Sequence, residues 1–190
     1  MKPSPNTPRL TIQKAINFSR KAILDMIENK SSPSLPWVLV SISNTVEEAD
    51  EIIGKLFPPK GPVLDNLVDA SFFIFGDYET PPREILPPNQ SDFNYPVLKE
   101  MIIQLTQWAT QVPLFVVHCT AGISRSGAVV QWLKDMYPKI STPYLNNAFP
   151  NQRMLKMMHN LYNPPNICVK FLEESVIDLS CMIGKINEDF

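Results

Sequence analysis

Apolar positions along the chain recur with two periods. From residue 11 to about 28 they fall at Ile12, Ala15, Ile16, Phe18, Ala22, Ile23, Met26 and Ile27. That spacing is mostly helical, with Thr11 as an acceptable N-cap, and predicts a helix over 11–28. Residues 29–36 read as a loop from composition. Trp37 to Ile42 is a short β-rich apolar run, expected to be a buried strand. Asn44 followed three residues on by Glu47 has the capping-box pattern, so residues 45–56 are predicted helical. Pro58, Pro59, Gly61 and Pro62 stop that helix. Ser71 to Phe75 is aromatic and apolar on both faces, which suits a central strand.

From Gly76 a long connection runs to about Asp92, with prolines at 81, 82, 87 and 88. Structureless loops of that length are uncommon and often functional. Val97, Leu98, Met101, Ile102, Leu105 and Trp108 then mark an amphipathic helix that tolerates Pro96 in its first turn. Residues 113–118 form another buried strand pattern, followed by a helix over about 124–137. Two helical patterns close the chain: Met154, Leu155, Met158 and Leu161, then Leu172, Val176, Leu179, Ile183 and Ile186. Helices alternating with short buried strands predict an α/β fold, a mostly parallel short-stranded sheet flanked by helices. Residues 1–10, with three prolines, read as a flexible leader to a single domain spanning 11–190.

Composition narrows the function classes. The chain has 190 residues, 17 Lys plus Arg and 19 Asp plus Glu, hence a formal charge of −2. Such a balance lacks the basic footprint of a nucleic-acid binder. No apolar run approaches a membrane span, and no signal-like apolar stretch opens the chain, so a cytoplasmic protein without membrane or nucleic-acid partners is expected. Three cysteines suggest free thiols in a reducing compartment rather than a disulfide scaffold. Two separated histidines and scattered cysteines make no ligand cluster, so neither metal nor cofactor is expected.

Chemistry concentrates in the segment LFVVHCTAGISRSGAVV, from Leu114 to Val130. A buried strand ends at His118, Cys119 follows, and five loop residues lead to Arg125 and a helix. A short strand-to-helix loop turns its N–H groups inward as an anion nest, and the helix N-terminus adds its positive dipole end. Thr120, Ala121, Gly122, Ile123 and Ser124 would form that cup. The same field favours thiolate at Cys119. Arg125 can fork onto two phosphate oxygens, Gly122 allows close backbone approach, and Ser126 can donate to the sulfur.

This stretch resembles the signature loop of the cysteine-based protein phosphatases, and most resembles their dual-specificity branch. The likeness extends loosely over about 37–161, including Pro150-Asn151 after the loop helix. It implies a protein-tyrosine or dual-specificity phosphatase-like fold and a metal-independent hydrolysis of phosphomonoesters. Cys119 would be the nucleophile, Arg125 the phosphate clamp, Ser126 the thiolate stabiliser, and His118 and Asn151 supports behind the loop. The family uses an Asp on a neighbouring loop as leaving-group acid. Asp77 follows the strand ending near Phe75, although its gap to Cys119 is longer than the family's usual one. Asp92 lies nearer in sequence but resembles a helix-capping residue. Asp77 is preferred from strand-end placement, with Asp92 the alternative.

Tyr78 and Arg83 are candidate substrate contacts on the rim. Cys168 and Cys181 have no comparable context, and His159 reads as an ordinary boundary residue. The loop positions 120, 121, 123 and 124 carry no Lys or Arg, which disfavours polyphosphates. The substrate expected is a phosphorylated protein carrying phosphotyrosine, with phosphoserine or phosphothreonine open, or a small phosphomonoester. Three alternatives stand beside this reading: a phosphate-binding interaction module without turnover, a phosphatase of non-protein phosphates, and another thiolate chemistry such as arsenate reduction.

Overall fold

Strands β2 (Trp37–Ser43) and β4 (Leu114–Cys119) are buried along their whole length. Continuous burial is what a parallel strand covered on both faces requires. They pair with each other, flanked by β1 (Lys14–Ser19) beside β4 and β3 (Leu67–Ile74) beside β2, giving a four-stranded parallel sheet in the order β1-β4-β2-β3. These elements belong to a computed structural model that describes residues 10–59, 61–79 and 92–162. The predicted α/β class, a parallel sheet flanked by helices, is what forms.

Alternation along the strands divides the core between two faces. Trp37, Leu39, Leu114 and Val116 pack with Ile23, Ile27, Ile52 and Leu56 of helices α1 (Arg20–Glu28) and α2 (Val46–Leu56). Val38, Val40, Phe115 and Val117 face α3 (Tyr95–Trp108), α4 (Arg125–Met136) and α5 (Gln152–Tyr162), through residues such as Leu98, Trp108, Trp132 and Met154. Within the described residues no helix is long and apolar enough to cross a membrane.

Three expectations need correction. The helix predicted over 11–28 divides into β1 and α1, with Ser19 Oγ capping α1 by accepting from Ala22 N–H. Strand β1 places Ala15 against one layer and Ile16 and Phe18 against the other, so its apolar positions mimic helical spacing, and pairing with β4 decides the outcome. Thr11 is no cap; its hydroxyl donates to the Thr110 carbonyl. Second, β3 is an edge strand, begins at Leu67 and ends before Phe75. Its aromatics reach both layers, Phe73 on one face and Phe72 on the other, which imitates a central strand. Third, the cap of α2 falls one residue later than the pattern suggests. Thr45 Oγ1 accepts from Glu48 N–H, and Glu48 Oε2 accepts from Asn44 N–H. The predicted closing helix with Leu172, and all of the leader 1–10 except Leu10, lie outside the described residues.

Candidate active site

All four strands run parallel, so Ser19, Ser43, Ile74 and Cys119 end on the same side of the sheet. Crevices beyond the carboxyl ends of parallel strands are where α/β folds bind ligands. There Cys119 closes β4, residues 120–124 form a loop, and α4 starts at Arg125.

The junction of β1 and α1 shapes that loop. Asn17 Nδ2 donates to the Gly122 carbonyl at 2.8 Å, and Arg20 N–H to the Thr120 carbonyl at 3.2 Å. A trans peptide points its C=O and N–H in opposite directions. Holding those carbonyls against the junction of β1 and α1 therefore turns the amides of Ala121 and Ile123 the other way, into the cup. Gly122 has φ +74°, and a Cβ there would lie 2.5 Å from the Phe18 carbonyl carbon. The position demands glycine on both counts.

Cys119 is buried, with Sγ 3.2 Å from Ser126 Oγ. Burial alone would push its thiol up. The Ser126 hydroxyl and amide, the Arg125 charge and the Gly122 amide overcome it and hold the thiol below its ordinary value. Arg125 is buried too. Its Nη1 donates to the Phe75 carbonyl at 2.5 Å and its Nη2 to Thr120 Oγ1 at 3.0 Å, while Nε has no acceptor among the described residues. Behind the loop, His118 Nε2 meets Ser41 Oγ at 2.8 Å. Burial, with the Arg125 and Arg20 charges adding to it and the Cys119 backbone opposing, pulls this imidazole down to about 4, so it is neutral near pH 7.

The two candidate acids separate. Asp77 Oδ1 accepts from Ser124 Oγ at 2.9 Å and from Asn151 Nδ2 at 2.8 Å, which brings its carboxylate onto the loop. Asn151 is wholly buried; its Oδ1 caps α5 by accepting from Met154 N–H, and its own N–H reaches the Ser124 carbonyl. Asp92 instead receives the fork of Arg153, at 2.9 and 2.6 Å. It is not the cap of α3 either, since Asn94 Oδ1 accepts from Val97 N–H. The Tyr78 ring folds back against Gly76. Arg83, Cys168 and Cys181 lie outside the described residues, and His159 pairs with Asp135 at the surface.

Several neighbours escaped the sequence reading. Asn44 Nδ2 donates to Thr120 Oγ1 at 2.9 Å, so that hydroxyl accepts from both Asn44 and Arg125. Asn17 left a trace, a polar residue amid an apolar pattern; Asn44 was legible as a capping residue and Arg153 as part of the Pro150-Asn151-x-Arg153 stretch, but neither contact was, and Ser41 left no trace. No group of three or more His, Cys, Asp or Glu side chains among the described residues could hold a metal.

No family model matches the chain, and no curated protein matches it. Among solved structures it is similar to human DUSP28, at 12 % identity and a TM-score of 0.37, over 79 % of this chain and 94 % of that one.

Proposed function

We propose that this chain hydrolyses phosphomonoesters through a cysteinyl-phosphate intermediate, with phosphoprotein as its substrate class. One observation carries the reading: a buried cysteine, held toward thiolate, shares one loop with a buried arginine whose guanidinium is braced from two sides.

Cys119 thiolate attacks phosphorus in line, forming an S–P bond as the bond to the leaving oxygen breaks. Arg125, through Nε and its remaining N–H groups, and the inward loop amides stabilise the equatorial oxygens. Asp77 keeps Oδ1 engaged with Ser124 and Asn151 while Oδ2 delivers a proton to the leaving oxygen. Water then attacks phosphorus and gives its proton to Asp77. The S–P bond breaks, inorganic phosphate leaves, and the Ser126 hydroxyl steadies the thiolate. The cup carries no Lys or Arg beyond Arg125, which favours a single phosphate on a peptide over a polyphosphate.

The test is turnover of p-nitrophenyl phosphate in chelator by wild type, Cys119→Ser, Asp77→Asn and Asp92→Asn. We expect wild-type activity, loss of about 10⁴-fold or more in Cys119→Ser, and a fall of about 10²-fold in Asp77→Asn. No wild-type turnover refutes the enzyme reading; vanadate binding without turnover would leave a phosphate-binding module. Full activity in Asp77→Asn with loss in Asp92→Asn would reassign the acid.

A further inference from the structure

Arg153, in the first turn of α5, has no part in the chemistry above, yet it grips the segment that carries Asp77. Its Nη1 and Nη2 fork onto Asp92 at 2.9 and 2.6 Å, and Nη1 also points at the Tyr78 carbonyl at 3.4 Å. The guanidinium carbon lies 4.4 Å from the centroid of the Phe93 ring. Phe93 is buried and packs edge-to-face on Phe75, 5.7 Å between centroids, and the Phe75 carbonyl holds Arg125. Asn151, capping the same helix, holds Asp77 itself. The start of α5 thus touches Asp77 through one side chain and its neighbour Tyr78 through another.

We infer that Arg153 is a positioning residue that pins the Asp77 segment to the N-terminus of α5, using Asp92 as its counter-anchor. The inference rests on the phosphatase reading for its catalytic consequence but not for the pin. The Arg153 and Asp92 side chains are 19 % and 21 % exposed, so the fork is sheltered enough for its geometry to matter. Only a planar guanidinium can meet both carboxylate oxygens while stacking on a ring, so lysine is no substitute. Asp92 then has a role distinct from acid catalysis: it orients the arginine that orients the acid's segment. A general acid displaced by about 1 Å can lose about 10²-fold in rate.

A purely structural ion pair would lower stability without changing how the rate depends on the leaving group. The test therefore compares Arg153→Lys, Asp92→Asn, and the exchanged pair Arg153→Asp with Asp92→Arg. His159→Gln, which breaks the surface pair with Asp135 elsewhere on α5, is the control. Amide hydrogen exchange over residues 72–79 reads the pin directly. Turnover of phenyl phosphate against p-nitrophenyl phosphate reads the acid, because the poorer leaving group needs the proton more. Arg153→Lys and Asp92→Asn should speed exchange there about tenfold. They should lower kcat on phenyl phosphate about tenfold more than on p-nitrophenyl phosphate, with KM little changed. The exchanged pair should recover part of both, and His159→Gln should change neither.

Unchanged exchange over 72–79 in the single variants overturns the inference, whether or not the wild type turns over. Equal loss on both substrates overturns its catalytic consequence. If the wild type is inactive while the variants exchange faster, the pin stands and the phosphatase reading falls.

Discussion

His118 makes the acid side of the stability profile steep. Its ring is buried at the end of β4 against Ser41, and folding moves its proton affinity from the ordinary 6.5 to about 4. Burial is the main cause, and the Arg125 and Arg20 charges add to it. Well above pH 6.5 the imidazole is neutral in both states and contributes nothing to the pH dependence. Between 6.5 and 4 the unfolded chain binds a proton that the folded chain refuses, so stability is lost as pH falls. Integrating that difference from pH 7.5 to 4.5 gives about 2–3 kcal/mol for this one side chain. The assay is urea unfolding at pH 7.5, 6.5, 5.5 and 4.5 for wild type and His118→Gln, whose amide can still meet Ser41 without titrating. Carboxylates titrate alike in both proteins and cancel in the difference. His118→Gln should be the less stable protein at pH 7.5, and should gain on wild type by about 2–3 kcal/mol by pH 4.5. Parallel stability curves would refute the reasoning.

Gly122→Ala should distort the loop, because alanine meets both the left-handed backbone and the Phe18 and Ser19 main chain. We expect a loss of about 2 kcal/mol or more in unfolding free energy and turnover lower by about 10²-fold; a wild-type denaturation midpoint would contradict it. Iodoacetamide alkylation followed against pH should show Cys119 reacting as thiolate below the ordinary thiol range, with Ser126→Ala moving the inflection upward. An unmoved inflection would remove Ser126 from the thiol's environment.

The candidate loop is legible in the chain because it is local. Strand, cysteine, loop and helix follow one another within a dozen or so residues, so spacing alone sets Cys119, Arg125 and Ser126 around one cup. Apolar runs such as Trp37–Ser43 are legible for a similar reason: a strand buried on both faces can hardly be written in other residues. Where two structures share one pattern, legibility ends. Residues 14–19 satisfy helical spacing and a doubly covered strand alike, and only the partner strand β4 separates them.

What the sequence determined by itself, then, is the α/β class and the grouping of Cys119, Arg125 and Ser126 in one contiguous strand–loop–helix segment, since both depend on interactions within a few residues. Tertiary structure decided what lies far away in the chain. Asn17 and Arg20 hold the loop carbonyls, Asn44 reaches Thr120, and Asp77 rather than Asp92 meets Ser124 and Asn151. Asp92 is nearer to Cys119 in sequence, but Arg153 captures it, while parallel strand ends bring Asp77 to the loop from farther off. Hydrogen bonds follow distance in space, and a chain folded into a sheet does not order its residues in space as it orders them in sequence.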